Sequence, residues 1–532
     1  MTKVLFVSSE AYPLSKTGGL GDVAASLPTA LFRQGVDIRI LVPAYASSME
    51  KAGAIGVKPL ATLVINHQTV NLHETRLPGT RLKVWLVDIP AFSQRHGNFY
   101  CGPDGKDWPD NADRYFLFCR VAEELAMNRA GLDWQPDIVH ANDWQTGLIA
   151  PLLSEQPGRP ASVFTIHNLA YRGEFSRDTF FRLPLPEKWW HPDKLEFFGK
   201  LAFIKGGLVF SDKITTVSPS YAQEIQSPVY GWGLDGLLRA RSNDIEGILN
   251  GIDAQEWNPA TDGWLARKYS RFTLDDKKIN RRAMQERFGL EPTDDIPVAG
   301  FIGRMVHQKG IDLMLHALPD LLDQGKCQFI ALGNGEHHYE QALLNLARQF
   351  PGQVAMTAGY SEEMAHGIEA GADIFLMPSA YEPCGLNQMY SLRYGTVPVV
   401  HGVGGLRDTI EHYQGNNLAT ANGFVFNQFN GDDFKGNLGY AIELWYQRDI
   451  WQQLQRNGMK PDLSWKRSAQ RYLAMYQQVL ARINPAADTG DLAREPQASV
   501  TRLEPLRRKT LAVGQPLPSR ERRQEPPPAM IH

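Results

Sequence analysis

Short apolar runs recur along this chain, each closed by glycine or a polar residue, and they constrain its fold more than any other feature. They fall into two series. The first holds Val4 to Ser8, Ile38 to Val42, Asp137-Ile-Val-His140, Ser162-Val-Phe-Thr-Ile166 and Lys213-Ile-Thr-Thr-Val217. The second holds Val298-Ala-Gly-Phe-Ile302, Gln328-Phe-Ile-Ala-Leu332, Val354 to Thr357, Asp373 to Met377 and Val397 to Val400. Near-continuous apolar runs of this kind mark parallel strands buried on both faces. Helical periodicity follows several of them: Val23 to Arg33 ahead of Gly35, Ile311 to Leu322, and Leu386 to Tyr394 ahead of Gly395. Strand and helix in alternation predict α/β architecture with doubly wound parallel sheets. Residues 60 to 90 alternate instead, and predict an antiparallel elaboration or further strands of the first sheet.

A chain of 532 residues is too long for one core. The expected division is a first Rossmann-like domain over 1–250, a hinge over 251–295 with one basic helix from Lys277 to Phe288, and a second Rossmann-like domain over 296–483 whose last helix packs back on the first. From residue 484 to 532 the apolar period collapses into Pro, Arg, Glu and Gln, the composition of a disordered tail. Its clusters Arg507-Arg-Lys509 and Arg520-Glu-Arg-Arg523 are expected to be solvated rather than to bind an anionic partner.

The formal net charge of −3 gives no reason to expect nucleic acid or an acidic membrane as a partner. Cys101, Cys119, Cys327 and Cys384 are dispersed without a Cys-x-x-Cys pair, which suits a reducing compartment. No apolar run approaches the roughly 18 residues of a membrane span, and the apolar start is too short for a signal-peptide core. The expected location is cytoplasmic.

In open α/β sheets ligands bind beyond the carboxyl ends of the strands. The polar residues there are therefore the candidates. Lys16 precedes Gly18 and Gly19 in a turn whose glycines allow a ligand close to backbone; they do not match the dinucleotide fingerprint. The alternative for Lys16 is a solvated loop lysine. Asp143 and then His167-Asn168 follow two successive strands, with a structural role as the alternative for each. Arg304 and Lys309 flank one strand-to-helix turn and suit a diphosphate, Arg bidentate and Lys as a point charge. Their alternative is a salt bridge with a nearby carboxylate. Glu382-Pro-Cys-Gly-Leu-Asn-Gln388 joins a buried strand to a helix start, where the amides of Gly385 and Leu386 are placed for phosphate oxygens. One carboxylate beside such a turn suggests a site for a sugar and a nucleotide phosphate together.

The motifs Lys16-Thr-Gly-Gly-Leu, His167-Asn-Leu-Ala-Tyr171, Leu249-Asn-Gly-Ile-Asp253, Arg304 with Gln308-Lys-Gly310, and Glu382-Pro-Cys-Gly-Leu386 occur in that order. In this the chain resembles the bacterial glycogen (starch) synthases from about residue 3 to 480. The resemblance implies GT-B architecture, two Rossmann-like domains facing across a deep cleft. It implies transfer of glucose from ADP-glucose to the non-reducing end of an α-1,4-glucan, with retention at the anomeric carbon and without a metal or other cofactor. Carried over by position, Lys16 contacts the donor and Arg304 and Lys309 bind the diphosphate. Asp143, His167 and Asn250 line the glucosyl pocket and Glu382 hydrogen-bonds the glucose, while Cys384, Gly385 and Leu386 cradle sugar and phosphate. The family often has Thr at Asn387 and His at Asn142. Another GT-B enzyme with a small acceptor, of the sucrose- or trehalose-synthase type, is the nearest rival, and a glycan-binding protein that has lost catalysis is a rival of another class.

Overall fold

The computed structural model describes residues 1–483; the two basic clusters expected in a solvated tail lie outside the described residues. The first sheet has nine strands. In chain order they are β1 (Lys3–Val7), β2 (Asp37–Pro43), β3 (Lys58–Ile65), β4 (Gln68–Arg76), β5 (Lys83–Asp88), β6 (Ile138–Asn142) and β7 (Ala161–Ile166). Three short strands, β8 (Glu174–Phe175), β9 (Glu196–Phe197) and β10 (Lys200–Ala202), form a separate small sheet before β11 (Lys213–Thr216) and β12 (Ile245–Gly247) rejoin the first. The spatial order is β12-β11-β7-β6-β1-β2-β5-β4-β3. Pairing is parallel from β12 to β5. The hairpin β3–β4 and the β4–β5 pair are antiparallel, so residues 60 to 90 supply both an elaboration and a strand of the parallel sheet.

The second sheet is six-stranded and wholly parallel, in the order β15-β14-β13-β16-β17-β18. Its members are β13 (Val298–Ile302), β14 (Gln328–Gly333), β15 (Val354–Ala358), β16 (Ile374–Met377), β17 (Val397–His401) and β18 (Phe424–Phe426). Every residue of β1's Val4–Val7, of β7 and of β16 is buried, as sheets covered on both faces require.

Each sheet reverses its winding once. In the first, the chain runs outward from β1 through β2, then returns to β6 on β1's other side. In the second, it runs from β13 to β15 and returns to β16 beside β13. A crevice opens where neighbouring strand-end loops leave in opposite directions. The β1 and β6 loops carry Lys16 and Asp143; the β13 and β16 loops carry Arg304 and Glu382.

Helix formation is also local in origin. Lys277–Phe288 stops at Gly289, which is left-handed at φ 71°, and Asn387–Tyr394 stops at Gly395, φ 65°. Beyond β18 the helices Gly431–Trp445 and Arg448–Met459 stay with the second sheet, and Trp465–Ile483 does not. That last helix buries Trp465, Tyr472 and Tyr476 with Val4, Leu27 and Ile138 of the first unit. The Tyr476 hydroxyl meets His140 Nδ1 at 2.7 Å. Among the described residues no helix is long and apolar enough to cross a membrane.

Candidate active site

One cavity of about 2150 Å³ lies between the carboxyl edges of the two sheets, and every candidate named from the sequence lines it. On the first side, Lys16 sits 2.9 Å from Asp22. Burial works against its charge, but the carboxylate outweighs that and keeps the ammonium above its ordinary pKa. Lys16 is nonetheless solvent-exposed, so what the structure shows is a loop lysine paired with Asp22 at the rim of the cleft. The loop is pinned from below by Glu10, whose carboxylate accepts from the Thr17 amide at 2.5 Å, from the Thr17 hydroxyl at 2.6 Å and from the Tyr100 hydroxyl. No atom lies within 4 Å of a Cβ built on Gly18, and one on Gly19 would reach only Leu386 Cδ1, at 4.0 Å, across the cleft. The Lys-Thr-Gly-Gly turn thus faces the Cys-Gly-Leu turn of the opposite sheet.

Asp143 has φ 57° and ψ 179°, a region that side chains rarely adopt. Its Oδ1 accepts the His167 amide at 2.8 Å, which ties the ends of β6 and β7 together. Burial pushes its carboxyl up to about 7, against the pull of the His167 and Asn168 amides. Burial also lowers His167 to about 3, so the ring brings no charge to the pocket. Its tautomer follows from a neighbour. Asn142 Nδ2 donates to the carbonyls of Val7 and His140, so the amide oxygen must face His167 Nε2, 2.9 Å away. A neutral imidazole there donates from Nε2 and keeps Nδ1 as an acceptor. Asn142 thereby gains a role that sequence alone did not supply. Asn168 Oδ1 closes its own turn onto the Ala170 amide, and Asn250 Oδ1 is buried without a hydrogen-bond partner.

On the second side, Arg304 Nη1 donates to the Tyr171 hydroxyl at 3.2 Å, reaching across the cleft to the residue that closes the His-Asn-Leu-Ala-Tyr motif. Lys309 Nζ lies 2.6 Å from Glu382 Oε2, which also accepts from Ser379 Oγ at 3.0 Å. For Lys309 the salt-bridge alternative is the one seen, with the two side chains 20% and 9% exposed. It joins two of the candidates to each other.

The turn bearing Glu382 is held by close backbone approach. Gly310, at φ 71°, lies where a Cβ would come 2.0 Å from the Pro378 carbonyl oxygen. Gly404, at φ 44°, lies where one would come 1.9 Å from the Glu382 carbonyl oxygen. Burial pushes the Cys384 thiol up to about 12, leaving it an inert, uncharged packing group. Asn387 Nδ2 donates to the Ile302 carbonyl at 2.7 Å, so it fastens the helix start to the end of β13 instead of offering a side-chain bond to phosphate. Leu386 is the cap position of that helix.

Sequence reasoning missed Glu10, Tyr171 and Asn142. Glu10 carried a signal, a carboxylate just beyond a buried strand at the ligand edge. Among the described residues, one group has spacing suited to an ion: Glu256, Glu362 and His366, with ligand atoms within 4.8 Å. His366 Nδ1 is already engaged by Asp262 at 2.7 Å, and the group includes neither Arg304, Lys309 nor Glu382.

The family profile described as the starch synthase catalytic domain matches residues 3–240, and that of the glycosyl transferases group 1 matches 284–458. The glycogen synthase of Cellvibrio japonicus is 58% identical over 477 residues, covering 90% of this chain and 99% of the relative. Glycogen synthase 1 of Methylococcus capsulatus is 50% identical, covering 92% and 99%. The catalytic domain of starch synthase IV from Arabidopsis thaliana, solved with ADP and acarbose, matches with a TM-score of 0.81 at 31% identity over 90% of this chain and 100% of that one. A sucrose-phosphate synthase from Thermosynechococcus elongatus, at 14% identity and a TM-score of 0.56, shares the fold.

Proposed function

The chain belongs to the glycogen (starch) synthase family, a GT-B glucosyltransferase of glycogen synthesis acting on a nucleotide sugar and a glucan, and from that premise we infer how its cleft works and on which donor. The donor is ADP-glucose and the acceptor the non-reducing end of an α-1,4-glucan. In support, the Arabidopsis catalytic domain was solved with ADP and acarbose. The observation that carries the reading is the convergence of Lys16, Arg304, Lys309 and the Glu382 turn on one cavity.

Breaking a sugar–phosphate bond leaves positive charge on the ring and negative charge on the departing diphosphate. Arg304 and Lys309 stabilise that developing negative charge, helped by the backbone amides at Gly385 and Leu386. Each such contact is worth about 3 kcal/mol of barrier. Glu382, anchored by Lys309 and Ser379, orients the glucosyl hydroxyls. Neutral His167 accepts a hydrogen bond through Nδ1, and Asn250 offers its oxygen to the same sugar. These protein charges replace a divalent ion, so the reaction needs no metal. A double displacement requires a second carboxylate about 5 Å from the first, on the opposite face of the sugar. Asp143 is committed to the His167 amide, and Glu382 to Lys309. The acceptor hydroxyl therefore attacks from the side of the leaving phosphate, which takes its proton, and configuration is retained.

Turnover with ADP-glucose and with UDP-glucose on a glycogen primer, with and without EDTA, tests the reading. Preference for ADP-glucose, growth of the primer and indifference to EDTA are expected. Loss of activity in EDTA, or a trapped covalent glucosyl-enzyme, overturns the metal-free or the front-face proposal respectively. Extension of a malto-oligosaccharide separates the enzyme from a small-acceptor synthase.

A further inference from the structure

The helix Pro219–Glu224, which belongs to the first sheet's unit, reaches over and grips the turn that carries Glu382. Ser218 Oγ donates to the Pro383 carbonyl at 2.6 Å. Ser220 donates to Asp408 through its amide at 2.9 Å and its hydroxyl at 2.7 Å. Glu224 Oε1 accepts the Gly404 amide at 2.8 Å. Farther along, Trp232 packs edge-on against Tyr381, ring centres 5.7 Å apart. Two of these contacts, those of Ser218 and Glu224, are to backbone of the turn and its neighbour. Pro383 is the residue after Glu382, and the Gly405 amide donates to the Glu382 carbonyl at 3.2 Å while Gly404 packs against the same oxygen.

We propose that Glu224 is a positioning residue for glucosyl transfer: reaching over from the first unit, it fixes the Glu382 turn through Gly404. The chemistry of the contact argues against a role in stability. Glu224 accepts from one neutral amide while its Oε2 is buried without a hydrogen-bond partner, and burial outweighs the pull of that amide and of Arg407, so the contact returns little net stabilisation for its desolvation. What it supplies is geometry. Arg304 and Lys309, the cations of the second sheet, make no contact with Glu224, so its loss leaves them in place for a nucleotide. Held from the opposite unit in this way, the place of Glu382 depends on the contact between the two units that wall the cleft.

The proposal rests on Glu382 acting at the transfer site, and the test keeps the two apart. Wild-type protein, Glu382→Ala, Glu224→Ala and Glu224→Gln are assayed for kcat and KM on a glycogen primer, and for equilibrium affinity for ADP. Absence of glucan extension by wild type, or full activity in Glu382→Ala, would condemn the functional reading rather than the grip. With that reading intact, Glu224→Ala is expected to lower kcat about tenfold or more, the worth of one buried hydrogen bond to a charged group. ADP affinity should stay within about twofold, because the second sheet's cations are untouched. Glu224→Gln, which keeps an acceptor for the Gly404 amide, should recover most of kcat. Unchanged kcat in Glu224→Ala, parallel loss of kcat and ADP affinity, or a Gln variant as poor as Ala each overturns the proposal. Should Glu224→Ala fail to fold, Ser220→Ala is judged by the same split between kcat and ADP affinity, with a smaller drop in kcat expected and none overturning the proposal.

Discussion

The Lys309–Glu382 pair can be taken apart by a double-mutant cycle. Lys309→Met removes the ammonium but keeps the stem, and Glu382→Gln removes the charge but keeps the shape. The charged atoms lie 2.6 Å apart, with side chains 20% and 9% exposed. Leaving one member of a fully buried pair alone costs about 3 to 5 kcal/mol, whereas exposed pairs are worth up to about 1 kcal/mol. Lys309 is partly wet and Glu382 keeps its bond from Ser379, so Lys309→Met should cost about 2 to 3 kcal/mol. In the double variant neither charge is stranded, and the coupling between the two changes should be about 2 kcal/mol in the stabilising direction. Urea unfolding of the four proteins reads this directly. Turnover on a glycogen primer should not recover with stability: each single variant loses about 100-fold in kcat, and the double no more than about the worse single, because the two groups work as one unit. A coupling below about 0.5 kcal/mol would place the pair among exposed ones and refute the reasoning. Recovery of activity alongside stability would show that the pair serves the fold alone.

Acid should subtract the contribution of His140 from the stability of the fold, because burial lowers its pKa to about 3 against an ordinary value near 6.5. Only the unfolded chain binds that proton between those values, so its stabilisation is intact above pH 6.5 and shrinks as pH falls, by about 2 kcal/mol between pH 7 and 5. His167, lowered to about 3, acts alike, and Asp143 and Glu369, pushed up to about 7 and about 8, act with the opposite sign, so the check is urea unfolding at several pH values for His140→Gln against wild type. An unchanged pH slope in the variant would contradict the burial argument. Asn142→Leu removes the acceptor that sets the His167 tautomer and should lower kcat about tenfold, the worth of one hydrogen bond at a buried site, with ADP affinity unchanged; an unaltered kcat would show that the ring's orientation is immaterial. Gly404→Ala forces a Cβ to within 1.9 Å of the Glu382 carbonyl oxygen at a positive φ, and should lose about 2 kcal/mol or more in urea unfolding together with most of kcat. All four cysteines are buried, so a thiol reagent should leave the native protein unmodified and label it fully in urea; rapid native labelling at Cys384 would contradict its burial.

The sequence by itself determined the strands and the loops that matter. Val298–Ile302 and the helix Lys277–Phe288 were legible to the residue because apolar runs, helical period and a closing glycine are local signals. The polar residues after β6, β7, β13 and β16 were legible for the same reason, since a parallel strand always delivers its carboxyl end to one edge. What only the tertiary structure decided is how those residues meet. Lys309 and Glu382 are 73 positions apart and pair because β13 and β16 are neighbours at the winding reversal. Asn142 orients His167 because β6 lies beside β7, and Glu224 meets Gly404, 180 positions away, because the helix Pro219–Glu224 of one unit packs on the helix Gly404–Thr409 of the other. Local pattern fixes where a side chain stands on its own strand. Its partner, charge state and tautomer depend on strand order and domain contact, which arise from packing the whole chain.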